Sequence, residues 1–170
     1  STLIPDEMQY LGVDVSSPLV RRANSLYASA RKSFKVGDAY QLPLPTGSFD
    51  AAVSFWVWSH LKNPGKAADE MSRVLKPGGP YLVITANPAT YEARRTFYSR
   101  YEEQDGKIVG DFDLGNGKKL TNTTLYLHSE QTFRNALTSA GLTIKETKHL
   151  GMLDEYPGGL YVCFSGTKAP

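Results

Sequence analysis

Two acidic residues each follow a run of apolar and β-branched residues, where a carboxylate could hold a ligand. Asp14 lies at the end of 9–15, and Asp38 follows 33–36 in the segment GDAYQLPLPTGSFDAAVSF. A strand-end carboxylate can accept hydrogen bonds from both hydroxyls of a ribose, and Asp38 could accept one from an exocyclic amino group, with Ala39 against the base. The alternatives are a solvated strand-end or helix-capping Asp14 and a turn Asp38.

His60 follows the apolar stretch FWVW, and histidine is the side chain type most often used as a general base near neutral pH. It could contact a substrate or act as a general base, and the alternative is a partly exposed histidine near the start of a helix. The three histidines and one cysteine do not have the spacing of metal ligands, so we predict no metal site.

Aromatic and basic side chains alternate in residues 90–103, which we predict to be a helix. Tyr91, Arg95 and Tyr98 could line a pocket for an aromatic or anionic substrate, and the same residue types can stack bases of single-stranded nucleic acid. The alternative is a helix that buries its aromatic stripe and leaves its arginines in solvent.

Strands and helices alternate along the chain, which predicts right-handed crossovers and a mainly parallel sheet. Cap signals start helices at Ser17, Asn63 and Ser129. Turn signals in 104–128 predict an insertion of short antiparallel strands, either a lid or an oligomer contact. The last two strands are predicted to form an antiparallel edge. The predicted strands are 9–15, 33–36, 49–56, 80–86, 142–149 and 160–167.

Composition fits a single α/β domain over residues 1–170, with 41% hydrophobic and 21% charged residues. A net charge of +2 gives no basic excess for nucleic acid. The single cysteine, Cys163, fits a reducing cytoplasm, and no run reaches the length of a membrane span.

The segment Tyr10–Pro88 resembles the central part of class I S-adenosylmethionine-dependent methyltransferases of the ubiquinone-biosynthesis-like type. The resemblance rests on the acidic strand end, GDA, LP…GSFD and E..RVLKPGG. It implies a Rossmann-like α/β fold, S-adenosylmethionine as cofactor, and methyl transfer to a small-molecule acceptor.

The resemblance also implies residue roles. Asp14 would bind the ribose hydroxyls and Asp38 would bind the adenine amino group. Val15 and Ala39 would lie beside the base. The methionine end and the transfer cleft would be lined by Ser54, Phe55 and Trp56. Acceptor contacts are expected from His60, Tyr91, Arg95 and Tyr98.

The family's first strand and Gly-x-Gly loop, which would precede the Asp14 strand by a βαβ unit of roughly 30 residues, do not occur in this sequence. We therefore expect an N-terminally truncated domain that binds the cofactor weakly or not at all and could be inactive. Three explanations stay open: a piece of a longer methyltransferase, direct pairing of the flanking strands, or a homodimer that swaps a strand.

Two other functions remain open, a non-catalytic methyltransferase-like partner protein and a dinucleotide-dependent oxidoreductase. An oxidoreductase could also use an Asp at this strand end. The combination of GDA, LP…GSFD and RVLKPGG favours the methyltransferase.

Overall fold

Local sequence signals start the three helices. Helix α1 (Ser17–Tyr27) begins after Ser16, α2 (Pro64–Val74) after Asn63 and α3 (Glu130–Ser139) after Ser129, and each of these capping side chains accepts a backbone N–H of the first turn. Gly141 follows α3 with φ +75°, a conformation that glycine adopts without steric cost.

The computed structural model describes residues 5, 7–90, 98–113, 119–151 and 158–170. It divides into a first unit, Ser1–Pro45, and a second unit, Thr46–Pro170. The strands of the chain are β1 (Tyr10–Asp14), β2 (Lys32–Val36), β3 (Ala52–Phe55), β4 (Pro80–Ala86), β5 (Tyr98–Gln104), β6 (Lys107–Asp113), β7 (Lys119–Tyr126), β8 (Leu142–Leu150) and β9 (Tyr161–Lys168).

The first unit is a β1–α1–β2 crossover in which the two strands pair in parallel. The side chain of Asn24 on α1 donates to the Phe34 carbonyl at 2.9 Å and accepts the Phe34 N–H at 3.2 Å. The rings of Tyr10 and Phe34 meet edge to face with centroids 5.8 Å apart. These contacts hold the helix on the strands.

The second unit contains a four-stranded sheet in the order β3-β4-β9-β8. Strands β3 and β4 are parallel, whereas β9 runs antiparallel to both β4 and β8. The mixed α/β class and the antiparallel C-terminal edge are therefore as predicted. Because β3, β4 and β8 point the same way, their carboxyl ends lie at one edge of the sheet.

One face of this sheet packs against α2 and α3. The large side chains of that core are fully buried, and Phe133 on α3 meets the rings of Trp58 and Phe164 edge to face. On the opposite face, Val53 and Phe55 of β3 are exposed. The core residues include Trp58, Met71, Leu75, Tyr81, Val83, Phe133, Leu137, Leu142, Val162 and Phe164.

The EMSRVLKPGG segment has structural contacts. Arg73 pairs with Glu70 at 2.7 Å, and Lys76 donates to Asp50 at 2.6 Å, so the hydrogen bond and charge of Lys76 lower the pKa of the Asp50 carboxyl. A Cβ at Gly79 would lie 2.9 Å from the Lys76 carbonyl oxygen and 3.0 Å from that of Asp50, which leaves no room for a side chain.

A three-stranded antiparallel sheet, β5-β6-β7, replaces the end of the predicted helix 90–103. That prediction is wrong for residues 98–103, which form β5, and residues 91–97 lie outside the described residues. Asp105 and Gly106, both with positive φ, close a tight hairpin that pairs β5 with β6. Cross-strand pairing thus prevails over helical propensity.

Among the described residues, no helix combines the length and the apolar character that a membrane crossing requires.

Replacing Phe133 with alanine is expected to lower the free energy of unfolding by about 3–5 kcal/mol, because the change leaves a cavity among fully buried rings. The matched control is Asn135→Ala, at an exposed position on the same helix. This substitution should change the free energy of unfolding by less than about 0.5 kcal/mol. Urea unfolding followed by circular dichroism measures both. Equal effects of the two variants would contradict the assigned core.

Burial raises the pKa of Tyr81 to about 12, and its hydroxyl donates to the Thr143 carbonyl at 3.2 Å. The unfolded chain releases this proton near pH 10, so the stabilisation is complete below pH 10 and is lost between about pH 10 and 12. We expect wild type to lose stability relative to Tyr81→Phe across that window. If the difference in unfolding free energy between wild type and Tyr81→Phe stays constant from pH 9 to 12, the phenol of Tyr81 is not buried.

Candidate functional site

The first unit brings Asp14 and Asp38 to the same edge of its sheet. Asp14 ends β1 in register with Val36, two residues before Asp38. The Gly37 N–H donates to the Asp14 carbonyl at 3.1 Å, which joins the two strand ends directly. Because β1 and β2 are parallel, this is the carboxyl edge at which α/β proteins bind ligands.

Each carboxylate is exposed and is oriented by a backbone N–H two residues further along the chain. Oδ1 of Asp14 accepts from Ser16 at 2.7 Å, and Oδ1 of Asp38 accepts from Tyr40 at 2.9 Å. These are the turn contacts of the alternative interpretation, and each of them uses one oxygen of its carboxylate. The remaining acceptor capacity suits ribose hydroxyls and an amino group.

The residues beside the two carboxylates leave an open surface. Val15 is 75% exposed and Ala39 is half-buried. A Cβ at Gly37 would lie 2.7 Å from Cγ1 of Val13 and 2.8 Å from Cδ of Pro43, so glycine allows the chain to pass closely between them. The edge therefore fits the ribose and adenine end of the expected cofactor, and the individual contacts stay predictions.

In the second unit, Ser54 and Phe55 end β3 and Trp56 follows it. Ser54 is half-buried, whereas Phe55 is 61% exposed on the face opposite the helices. Trp56 has φ +61°, a conformation that costs a bulky residue about 1–2 kcal/mol. Its N–H donates to the Ile84 carbonyl at 2.9 Å, which holds the strained backbone. Strain of this kind concentrates at functional sites.

Tyr161 is a neighbour of this strand end that the sequence patterns did not reveal. Its ring meets that of Trp56 edge to face, with centroids 4.8 Å apart. Tyr161 begins β9, whose amino end lies beside the carboxyl end of β4. The pair places two aromatic rings at the edge where β3 and β4 end.

His60 ends a short 3₁₀ helix, Trp58–His60, and its Nδ1 donates to the Thr124 carbonyl of β7 at 2.6 Å. The neutral ring then has its lone pair on Nε2, which keeps the capacity of a base. The same bond gives His60 a structural role between two elements of the second unit. The predicted acceptor contact stays a prediction.

Of the predicted acceptor contacts in 90–103, only Tyr98 lies among the described residues, and it is in a strand. Tyr98 is in β5, half-buried, with its ring 5.4 Å from that of Phe112 and packed against Ile108 and Leu125. Tyr98 therefore packs against neighbouring side chains from a strand and not from the predicted helix. Tyr91 and Arg95 lie outside the described residues.

Comparison with known proteins gives a consistent result. Residues 3–83 match the family model described as "Methyltransferase domain". The chain is 28% identical over 97% of its length to a demethylmenaquinone methyltransferase of Desulfitobacterium hafniense (strain Y51), of which it spans 66%. It is 25% identical over 96% of its length to a ubiquinone/menaquinone biosynthesis C-methyltransferase, UbiE, of Geobacter sp. (strain M21), of which it spans 70%.

The fold is also that of solved methyltransferases. An S-adenosylmethionine-dependent methyltransferase from Mesorhizobium loti matches 92% of this chain and 79% of its own, with a TM-score of 0.68 and 19% identity. The Rossmann-like methyltransferase fold expected from the resemblance is thereby confirmed. In sequence and in fold the chain is thus similar to class I S-adenosylmethionine-dependent methyltransferases.

Proposed function

We propose that this protein binds S-adenosylmethionine and catalyses methyl transfer to a small-molecule acceptor. The observation that carries the proposal is the meeting of Asp14 and Asp38 at one carboxyl edge, joined by the bond from Gly37 to the Asp14 carbonyl. Two exposed carboxylates at adjacent parallel strand ends match the hydroxyl and amino donors of an adenosine.

The cofactor supplies an electrophilic methyl group on a sulfonium when it is bound. In the proposed complex, Asp14 accepts hydrogen bonds from the ribose hydroxyls and Asp38 accepts one from the adenine amino group, while Val15 and Ala39 flank the base. Such charge-assisted bonds are stronger than neutral ones, so the two carboxylates would supply much of the recognition of the adenosine.

The aromatic residues of the second unit suit a sulfonium ligand. Ring faces attract cations, and Trp56 and Tyr161 form an edge-to-face pair at the carboxyl ends of β3 and β4. We assign Ser54, Phe55 and Trp56 to the methionine end and the transfer cleft. Methyl transfer is an in-line displacement, so alignment and exclusion of water are the main tasks of these side chains.

The acceptor that we propose is a small ring compound of the quinone type. Two relatives bear names from menaquinone and ubiquinone biosynthesis, which supports this class. The net charge of +2 gives no support to a nucleic-acid acceptor. A cytoplasmic location and a homodimer complete the proposal, and both remain to be tested by fractionation and by light scattering.

Saturation-transfer NMR tests cofactor binding, because it detects weak as well as tight complexes. We expect saturation of the adenine and ribose protons of S-adenosylhomocysteine, and Asp14→Asn should weaken binding about tenfold or more through loss of a charge-assisted hydrogen bond. The control is Asp69→Asn, an exposed carboxylate on α2. Saturation of NADH without saturation of S-adenosylhomocysteine would instead favour an oxidoreductase and overturn the proposal.

Methyl transfer is tested with S-adenosylmethionine tritiated on the methyl group and three acceptors: 1,4-dihydroxynaphthalene, protein and RNA. Label is expected in the small ring compound and should fall with Asp14→Asn. Label confined to RNA or protein would refute the acceptor class. Cofactor binding without transfer to any acceptor would favour the non-catalytic partner protein.

A further inference from the structure

A cavity of about 530 Å³ lies in the second unit where β4 and β8 end. Its described lining includes Asn87, Pro88, Ala89, Glu130 and His149. The volume is within the range of small-molecule sites. These residues come from the turn after β4, the first turn of α3 and the end of β8, which meet only through the sheet.

His149 is oriented by a carboxylate. Its Nε2 lies 3.0 Å from Oε2 of Glu130, whose Oε1 accepts from Nε of Arg134 at 2.9 Å. Burial acts to raise the pKa of Glu130, but the hydrogen bonds from His149 and Arg134 outweigh it and the pKa lies below its usual value. The ionised carboxylate can only accept, so Nε2 carries the hydrogen and the neutral ring has its lone pair on Nδ1.

Asn87 forms a rigid wall of the cavity. It is 2% exposed, its Nδ2 donates to the carbonyls of Gly158 and Gly159 at 2.9 and 2.8 Å, and its Oδ1 accepts the Ala89 N–H at 3.0 Å. These bonds fix the backbone that follows β4 and preform the space beside His149.

The charges near the cavity favour an uncharged ligand. Arg134 is held by Glu130 and lies over the Phe164 ring at 5.5 Å. Among the described residues that line the cavity, none is Lys or Arg and one, Glu130, is a carboxylate, which disfavours an anionic ligand. Pro88 and Ala89 supply apolar contact, and Nδ1 of His149 supplies a hydrogen-bond acceptor. A neutral ring with a hydroxyl group fits both.

We propose that this cavity binds the hydroxylated ring of the methyl acceptor and that His149, positioned by Glu130, takes the proton of the hydroxyl group. The proposal rests on the proposed function and names its acceptor site. Glu130 acts through His149 and is a positioning residue. A hydroxyl conjugated with the nucleophilic atom need not be adjacent to it, since its electron pair is shared through the ring.

In the proposed step the O–H bond of the acceptor's hydroxyl group breaks. The proton moves to Nδ1 of His149 and the electron pair stays on the acceptor. An electron pair from a carbon or oxygen atom of the acceptor would form the bond to the methyl group. The bond between the methyl group and sulfur would break with its electron pair left on sulfur, which gives S-adenosylhomocysteine. The imidazolium formed is stabilised by the carboxylate of Glu130.

NMR of protein labelled with ¹⁵N in histidine tests the site through binding alone. The probe is 1,4-dihydroxynaphthalene kept reduced under argon, and the matched ligand is 1,4-dimethoxynaphthalene, which lacks the hydroxyl hydrogens. We expect the hydroxylated probe to shift the imidazole signals of His149, and His149→Phe to weaken its binding about tenfold without weakening that of the dimethoxy compound. The control is Lys148→Gln, one residue earlier on the other face of β8.

Glu130→Gln separates positioning from folding and serves if His149→Phe does not fold. We expect the ¹⁵N shifts of His149 to show a redistribution between Nδ1–H and Nε2–H tautomers and the hydroxylated probe to bind more weakly. An unchanged tautomer with only a lower unfolding midpoint would show a structural role and overturn the assignment.

The same samples distinguish this proposal from the one on which it rests. S-adenosylhomocysteine should bind equally to wild type, His149→Phe and Glu130→Gln. Cofactor binding with no probe-induced shift at His149 overturns the acceptor site and leaves the methyltransferase function standing. Probe binding at His149 in a protein that does not bind the cofactor contradicts the proposed function instead.

Discussion

The pairing of β9 between β4 and β8 is the constraint on which the second unit depends. Seven residues from Pro80 to Ala86 pair antiparallel with β9 from Thr167 to Tyr161. Strand register has a period of two, so a slip of one residue would turn Val162 and Phe164 out of the core. The same pairing brings Tyr161 beside the end of β4 and lets β8 run parallel to β4, so that Asn87 after β4 and His149 near the end of β8 lie at one edge.

The chemistry is divided between the two units of the chain. The first unit offers two oriented carboxylates, Asp14 and Asp38, on a short parallel pair of strands. The second offers the aromatic pair Trp56 and Tyr161 and the histidine that Glu130 orients. Hydrogen-bond acceptors for an adenosine thus lie in the first unit, and side chains suited to a methyl acceptor lie in the second.

Sequence patterns were sufficient where the determinants are local. A strand end followed by a capping residue and a proline locates Asp14 before α1. Gly37 and Asp38 mark the end of β2, because both strands are short and end at recognisable residues. The glycine turn after α2 could be predicted from the sequence for the same reason. The fold of this part follows from neighbouring residues.

The sequence patterns failed where contacts between distant segments determine the structure. The sequence analysis predicted a helix over 90–103, but the hairpin at Asp105 pairs Tyr98 and Arg100 with β6, and Arg100 contacts Asp111 across the strands. Tyr161 and His149 could not be placed from the sequence, because sheet order and helix packing bring their partners, Trp56 and Glu130, to them. Only the register of β4, β9 and β8 reveals that they share an edge.

The central claim is that Asp14 and Asp38 hold the adenosine of the cofactor. A crystal structure of the protein with S-adenosylhomocysteine tests it most directly. The account predicts carboxylate oxygens of Asp14 within about 2.6–3.2 Å of the ribose hydroxyls and one of Asp38 within similar reach of the adenine amino group. An adenosine bound at another edge, with both carboxylates contacting only their turn N–H groups, would contradict it.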